Sequence, residues 1–167
     1  MTGMERIMAK MPITQIGFQK LKKELEQLKT VAIPENIRDI EEARGHGDLS
    51  ENAEYTAAKE RQAYLHGKIS ELEHNLAMSE VIDLRNLSCD KAVFGSTVVI
   101  EDVQSGDNVR YRLVGPLESN VDKNHISVTS PIGKALIGKK IGSEISVTTP
   151  GGIRKIEIID IYAEETE

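Results

Sequence analysis

Ala43-Arg-Gly-His-Gly-Asp-Leu-Ser-Glu-Asn-Ala-Glu-Tyr55 lies between two long stretches of helical periodicity, and its glycines turn one back on the other. Upstream, Phe18, Leu21, Leu25, Leu28 and Ala32 recur at alternating steps of three and four, the spacing of a helix packed along a coiled-coil seam. Lys22, Lys23, Glu24, Glu26 and Lys29 fill the solvated faces, and Thr14 is placed to cap the first turn. Pro34 removes a backbone donor and so kinks or interrupts the helix. The seam resumes at Ile37, Ile40 and Ala43, and Gly45 and Gly47 end it. Downstream, a second helix is expected to begin near Asp48, to carry Leu65, Ile69, Leu72 and Leu76 on its seam, and to close at about 79–83. Two helices of about 30 residues each predict an antiparallel coiled-coil hairpin roughly 45 Å long, with the quoted stretch at its tip.

After Asp83 the pattern changes to β-branched runs broken by turn formers, predicting strands at 96–101, 109–114, 126–129, 145–149 and 153–161. Thr149-Pro150-Gly151-Gly152 suits a hairpin between the last two. Ser130 and Pro131 have the order of an N-cap and a first-turn proline, predicting a short helix over 131–137. The expected class is α+β: a helical hairpin followed by an antiparallel sheet domain with one short helix. The expected division is a mobile leader at 1–10, a finger at 11–83 with its acidic tip at 46–55, and a sheet domain at 84–167.

Composition narrows the function. The net charge is -6, and the halves 1–82 and 83–167 each carry three more acidic than basic side chains, so neither is a basic arm for wrapping nucleic acid. Aromatics make up 4% with no Trp, which favours an interaction surface over a deep apolar ligand pocket. Cys89 is the single cysteine, leaving no internal disulfide and no Cys-based metal site; a reducing cytoplasm fits best. No apolar run at the start is long enough for a signal segment or a membrane span.

Chemistry concentrates at the tip. Asp48 and Glu51, three apart, have the spacing of a capping box and equally of two carboxylates jointly holding a divalent cation. Two carboxylates are half a Mg²⁺ site, because Mg²⁺ takes octahedral oxygen coordination completed by substrate phosphate and water. A second molecule would have to supply the rest. Arg44 and Lys59 flank the turn as cations, and Tyr55 is placed either to stack on a base or to pack across the hairpin. His46 has no second histidine at ligand spacing. The run from Gly133 to Lys140 approaches a phosphate-binding loop, but Lys140 stands where a Ser or Thr hydroxyl is needed.

His46-Gly-Asp-Leu-Ser-Glu-Asn-Ala-Glu-Tyr55 resembles the tip of the bacterial Gre transcript-cleavage factors. Ser130-Pro131-Ile132, Leu136-Ile137-Gly138-Lys139 and Thr149-Pro150-Gly151-Gly152 resemble the family's C-terminal motifs, so the likeness covers nearly everything from Met11 onward. The acidic balance resembles the A type rather than the more basic B type.

The resemblance implies a coiled-coil finger followed by a C-terminal domain of FKBP-like fold. It implies a cytoplasmic accessory factor, not itself an enzyme, that docks on the bacterial RNA polymerase elongation complex and passes its finger down the secondary channel; any contact with DNA is indirect. Asp48 and Glu51 match the tip carboxylates that help hold a Mg²⁺ shared with the polymerase active site and orient the attacking water. The substrate implied is the backtracked RNA 3′ end. Arg44, Lys59 and Tyr55 match positions near the RNA or the channel wall, and Ser130 and Pro131 fall in a segment facing the polymerase. A prolyl isomerase or chaperone is one rival, weakened because Phe94, Tyr111 and Tyr162 are the only aromatics of the C-terminal half. A non-catalytic channel-binding regulator is the other.

Overall fold

The structure, a computed structural model of the chain, describes residues 10–48 and 52–164. It divides into two compact units: Phe18–Ser79, and the residues up to Gly17 together with those from Glu80 onward. The leader expected at 1–10 lies outside the described residues apart from Lys10.

The helical unit is an antiparallel hairpin. Its first arm comprises α1 (Gln15–Gln27), a π-helical turn (Leu28–Ala32) and α2 (Ile33–Arg44), and its second arm is the single helix α3 (Ala53–Met78). At about 1.5 Å per residue, the 26 residues of α3 span about 39 Å. The π turn is what Pro34 does to this helix. The residue lacks the N–H that Thr30 would receive four positions back, and the clash of its ring is relieved by widening the preceding turn. Ile33 N–H donates to the Leu28 carbonyl, five residues back, and the Thr30 hydroxyl donates to the Glu26 carbonyl.

Beyond that turn the seam keeps Ile40 and Ala43 as expected and departs from expectation at one position. Buried side chains in α2 are Asn36, Ile40 and Ala43, while Ile37, expected on the seam, is 46% exposed. Asn36 is fully buried, and its Nδ2 donates to the Ala58 carbonyl across the hairpin at 2.9 Å. The facing seam of α3 buries Ala58, Leu65 and Leu72. Ion pairs Lys29–Glu73 and Arg61–Asp39 tie the solvated edges of the two arms.

In the other unit, β1 (Met11–Ile13) and β2 (Ser79–Val81) form a two-stranded sheet that the sequence pattern does not reveal. The main sheet contains β3 (Ser96–Asp102), β4 (Asn108–Val114), β5 (His125–Ser127), β6 (Glu144–Thr149) and β7 (Gly152–Ala163), in the order β5-β4-β3-β7-β6. The expected antiparallel sheet is therefore mixed. Four strands run antiparallel, but β5 lies parallel to β4 because the chain crosses through residues 115–124 before returning alongside it. The short helix α4 (Pro131–Leu136) follows, capped by Ser130 as its sequence predicts. A bulge between Val99 and Ile100 shifts the β3–β7 register and increases the local twist. The core joins Val98, Ile100, Leu113, Leu136, Ile156 and Ile158, of which Val98, Leu113, Leu136 and Ile158 are fully buried.

The start of the chain is sewn onto this unit by Glu118. Its carboxylate accepts from the Thr14 N–H at 3.1 Å, from the Gly115 N–H at 3.2 Å and from the Thr14 hydroxyl. Thr14 in turn caps α1, its Oγ1 accepting from the Gly17 N–H at 3.0 Å. Gly115 lies so close beneath Pro12 that a Cβ would stand 1.9 Å from the Pro12 carbonyl oxygen.

Candidate functional site: the hairpin tip

The tip begins where α2 runs out of partners for its last carbonyls. Gly45 N–H donates to the Glu42 carbonyl at 3.0 Å, His46 N–H to the Ala43 carbonyl at 3.2 Å, and Gly47 adopts φ +107°, a left-handed conformation that favours glycine. Asp48 follows, exposed and outside any helix.

The second helix does not start near Asp48. Asn52, with extended backbone (φ -89°, ψ 96°), is the N-cap, and α3 begins at Ala53. Its Oδ1 accepts from the Tyr55 N–H at 3.0 Å, while its Nδ2 donates to the Ala43 carbonyl at 2.6 Å. The sequence offers Asp48, Ser50 and Asn52 within five residues, all good caps, and local preference does not rank them. Asn52 prevails through an additional bond across the hairpin. Asp48 lies four residues before that cap, so its expected placement on the first turn of the second helix gives way. Glu51 lies outside the described residues.

The flanking residues are brought together in part. Arg44, the last residue of α2, places its guanidinium 6.0 Å from the centroid of the Tyr55 ring, so Tyr55 packs across the hairpin beneath a cation. His46 Nδ1 and Glu54 Oε2 stand 2.8 Å apart on the exposed surface. Lys59 is one helical turn further along α3, where its Nζ donates to Gln62 Oε1 at 2.8 Å. Asn52 is the tip residue that sequence reasoning missed; its signal was an amide side chain, able both to donate and to accept, just before a helical run.

Ser130 and Pro131 belong to the other unit. The Ser130 hydroxyl accepts from the Gly133 N–H at 3.1 Å and donates to the Ser127 carbonyl at 2.6 Å, while Pro131 is exposed at the first turn of α4. The hydroxyl is thus engaged in holding the helix start, leaving the proline as the more accessible of the two. Among the described residues no three His, Cys, Asp or Glu side chains gather to hold a metal, and no helix is long and apolar enough to cross a membrane.

Two family models cover this architecture, a transcription elongation factor N-terminal model over residues 11–81 and a GreA/GreB C-terminal model over residues 87–163. The chain belongs to the GreA/GreB family of transcription elongation factors. Among GreA/GreB relatives, the transcription elongation factor GreA of Syntrophus aciditrophicus is 66% identical over 160 residues, covering 96% of this chain and 99% of its own. That of Syntrophobacter fumaroxidans is 51% identical, covering 92% and 99%. Both carry the A-type name, in agreement with the acidic charge balance. GreA factor homolog 1 of Thermus thermophilus is 29% identical with a TM-score of 0.42, covering 92% of this chain and 99% of its own; the family assignment rests on the sequence matches.

Proposed function

We infer that this chain binds the bacterial RNA polymerase elongation complex in the cytoplasm and stimulates the polymerase's own endonucleolytic cleavage of backtracked RNA 3′ ends. The observation that carries this reading is the exposed Asp48 just beyond the first arm of a long helical hairpin, in a chain matched to GreA/GreB over both units. A hairpin about 39 Å along its second arm is long enough to place side chains deep in a channel.

In this reading Asp48 and Glu51 are the working carboxylates. Their hard oxygen donors suit Mg²⁺, and two carboxylates leave positions for substrate phosphate and water, so the ion is shared with the polymerase site. When bound there, the metal stabilises charge on the reacting phosphate and lowers the pKa of a coordinated water. The chain's own part is to bring anionic ligands to that place and to orient a water between them. Arg44, stacked on Tyr55, and Lys59 present positive charge toward the RNA, while Ser130 and Pro131 lie on the polymerase-facing surface. Because the reacting centre belongs to the polymerase, the factor is an accessory and not a free-standing nuclease.

The isomerase reading has less support. The cavity lined by Tyr111, Ile132, Val147 and Ile156 measures about 60 Å³, far below the roughly 300 Å³ at which ligand pockets begin. The functional reading is tested by adding the protein to stalled complexes carrying 5′-labelled RNA. Shortened transcripts that can again be extended are expected; complexes that bind the factor and keep their RNA intact would contradict it.

A further inference from the structure

We propose that Asn52 is the positioning residue of the tip, the side chain that fixes where the acidic turn stands relative to the two helices. The proposal rests on the functional reading above. It starts from one amide that bonds both to the end of α2 and to the first turn of α3, just after the acidic stretch of the sequence.

The two anchoring points are firm. Ala43 is 3% exposed in the hairpin seam, and its carbonyl takes two donors, the His46 N–H at 3.2 Å and the Asn52 Nδ2 at 2.6 Å. On the other side, Asn52 Oδ1 accepts the Tyr55 N–H at 3.0 Å and so starts α3. Rotating the amide by half a turn would set oxygen against the Ala43 carbonyl and NH₂ against the Tyr55 N–H, so the two bonds together fix its orientation. Asn52 thereby joins a seam residue at the end of α2 to the first turn of α3. Arg44 over Tyr55 and His46 to Glu54 also span the tip, the latter between exposed side chains, where such pairs contribute little. Asn52 is half-buried, and its bonds are better shielded from water.

Residue chemistry separates this role from ordinary capping. Ser and Asp start helices about as well as Asn. Neither can accept from Tyr55 N–H and also send an N–H donor to Ala43. Asp at position 52 has nearly the same shape as Asn and keeps the acceptor, but it faces the Ala43 carbonyl with a carboxylate oxygen. Ser keeps the acceptor and lacks the reach. If capping were all that position 52 supplied, both variants would work as well as the parent.

The test compares the parent with Asn52→Asp and Asn52→Ser in backtracked elongation complexes. It measures cleavage rate against factor concentration, polymerase binding, and helicity by far-ultraviolet circular dichroism. Parent-like helicity and an unchanged half-saturating concentration are expected for both variants, with the maximal cleavage rate lowered about tenfold, as misplacement of reacting groups by a fraction of an ångström produces. Parent-like maximal rates in both variants would overturn the proposal. So would a loss appearing wholly as weaker binding, or a loss of helicity in both, since either would assign the effect to docking or to capping alone. A parent that binds polymerase without stimulating cleavage overturns the functional reading instead, and is recognised before any variant is compared.

Discussion

Asn36 illustrates how much one residue in a hairpin seam can carry. It is fully buried, its Nδ2 is bonded to the Ala58 carbonyl, and its Oδ1 has no hydrogen-bond partner among the described residues. A buried polar group of this kind specifies register in a coiled coil at a cost in stability. Replacing it with Leu, of similar size, removes the unsatisfied oxygen and adds apolar contact. Asn36→Leu is expected to stabilise the chain by about 1 kcal/mol or more, read as a rise in thermal midpoint. A fall would mean that the Ala58 bond outweighs the orphaned oxygen. Glu118 has the opposite character, because it satisfies donors that otherwise have nowhere to turn. Glu118→Ala strands the Thr14 and Gly115 N–H groups at buried positions and is expected to cost about 2–3 kcal/mol in urea unfolding. A loss below 0.5 kcal/mol would show those bonds to be readily replaced by water.

Among the elements, the β3–β4 turn is held by Asp102, whose carboxylate accepts from Arg154 on β7 at 2.6 and 2.9 Å and from the Gln104 and Ser105 N–H groups. The Arg154 hydrogen bonds, assisted by those two backbone donors, hold the Asp102 pKa below its ordinary value. A carboxylate depressed in the folded state contributes stability above its unfolded pKa of about 3.9 and loses it as pH falls toward the folded value. Asp102→Asn should therefore lower the thermal midpoint at pH 7 and differ progressively less from the parent as pH falls below about 4. An equal difference at both pH values would place the effect outside ionisation. Helices and most strands were legible because a stripe turned from solvent imposes its period locally: the half-buried Phe18, Leu21 and Leu25 announced α1, and Ser130-Pro131 announced α4. What escaped depended on distant partners or on competition. Pro34 signalled an interruption but not the π turn, beyond which Asn36 and not Ile37 enters the seam. Three neighbouring caps competed at the tip, and the bond to Ala43 decided among them. The parallel pairing of β5 is set by a crossover, and β1 and β2, three residues each, are too short to carry a period.

For the molecule as a whole, the division into a helical hairpin and a sheet unit separates two properties that activity assays tend to merge. The hairpin carries Asp48 in its closing turn, whereas Ser130 and Pro131 belong to the sheet unit, so under the proposed function attachment and stimulation would draw on different residues. Changing the tip carboxylates should leave attachment intact. Glu51 completes the pair by sequence, and the central claim is that this pair is the working chemistry. The decisive measurement is RNA 3′-end cleavage in backtracked polymerase complexes by the parent and by Asp48→Asn/Glu51→Gln, at concentrations where both are shown to occupy the polymerase equally. Cleavage with the parent and a loss of about a hundredfold or more with the variant is the expected result. Equal cleavage by the two proteins would contradict the account and assign stimulation to some other part of the chain.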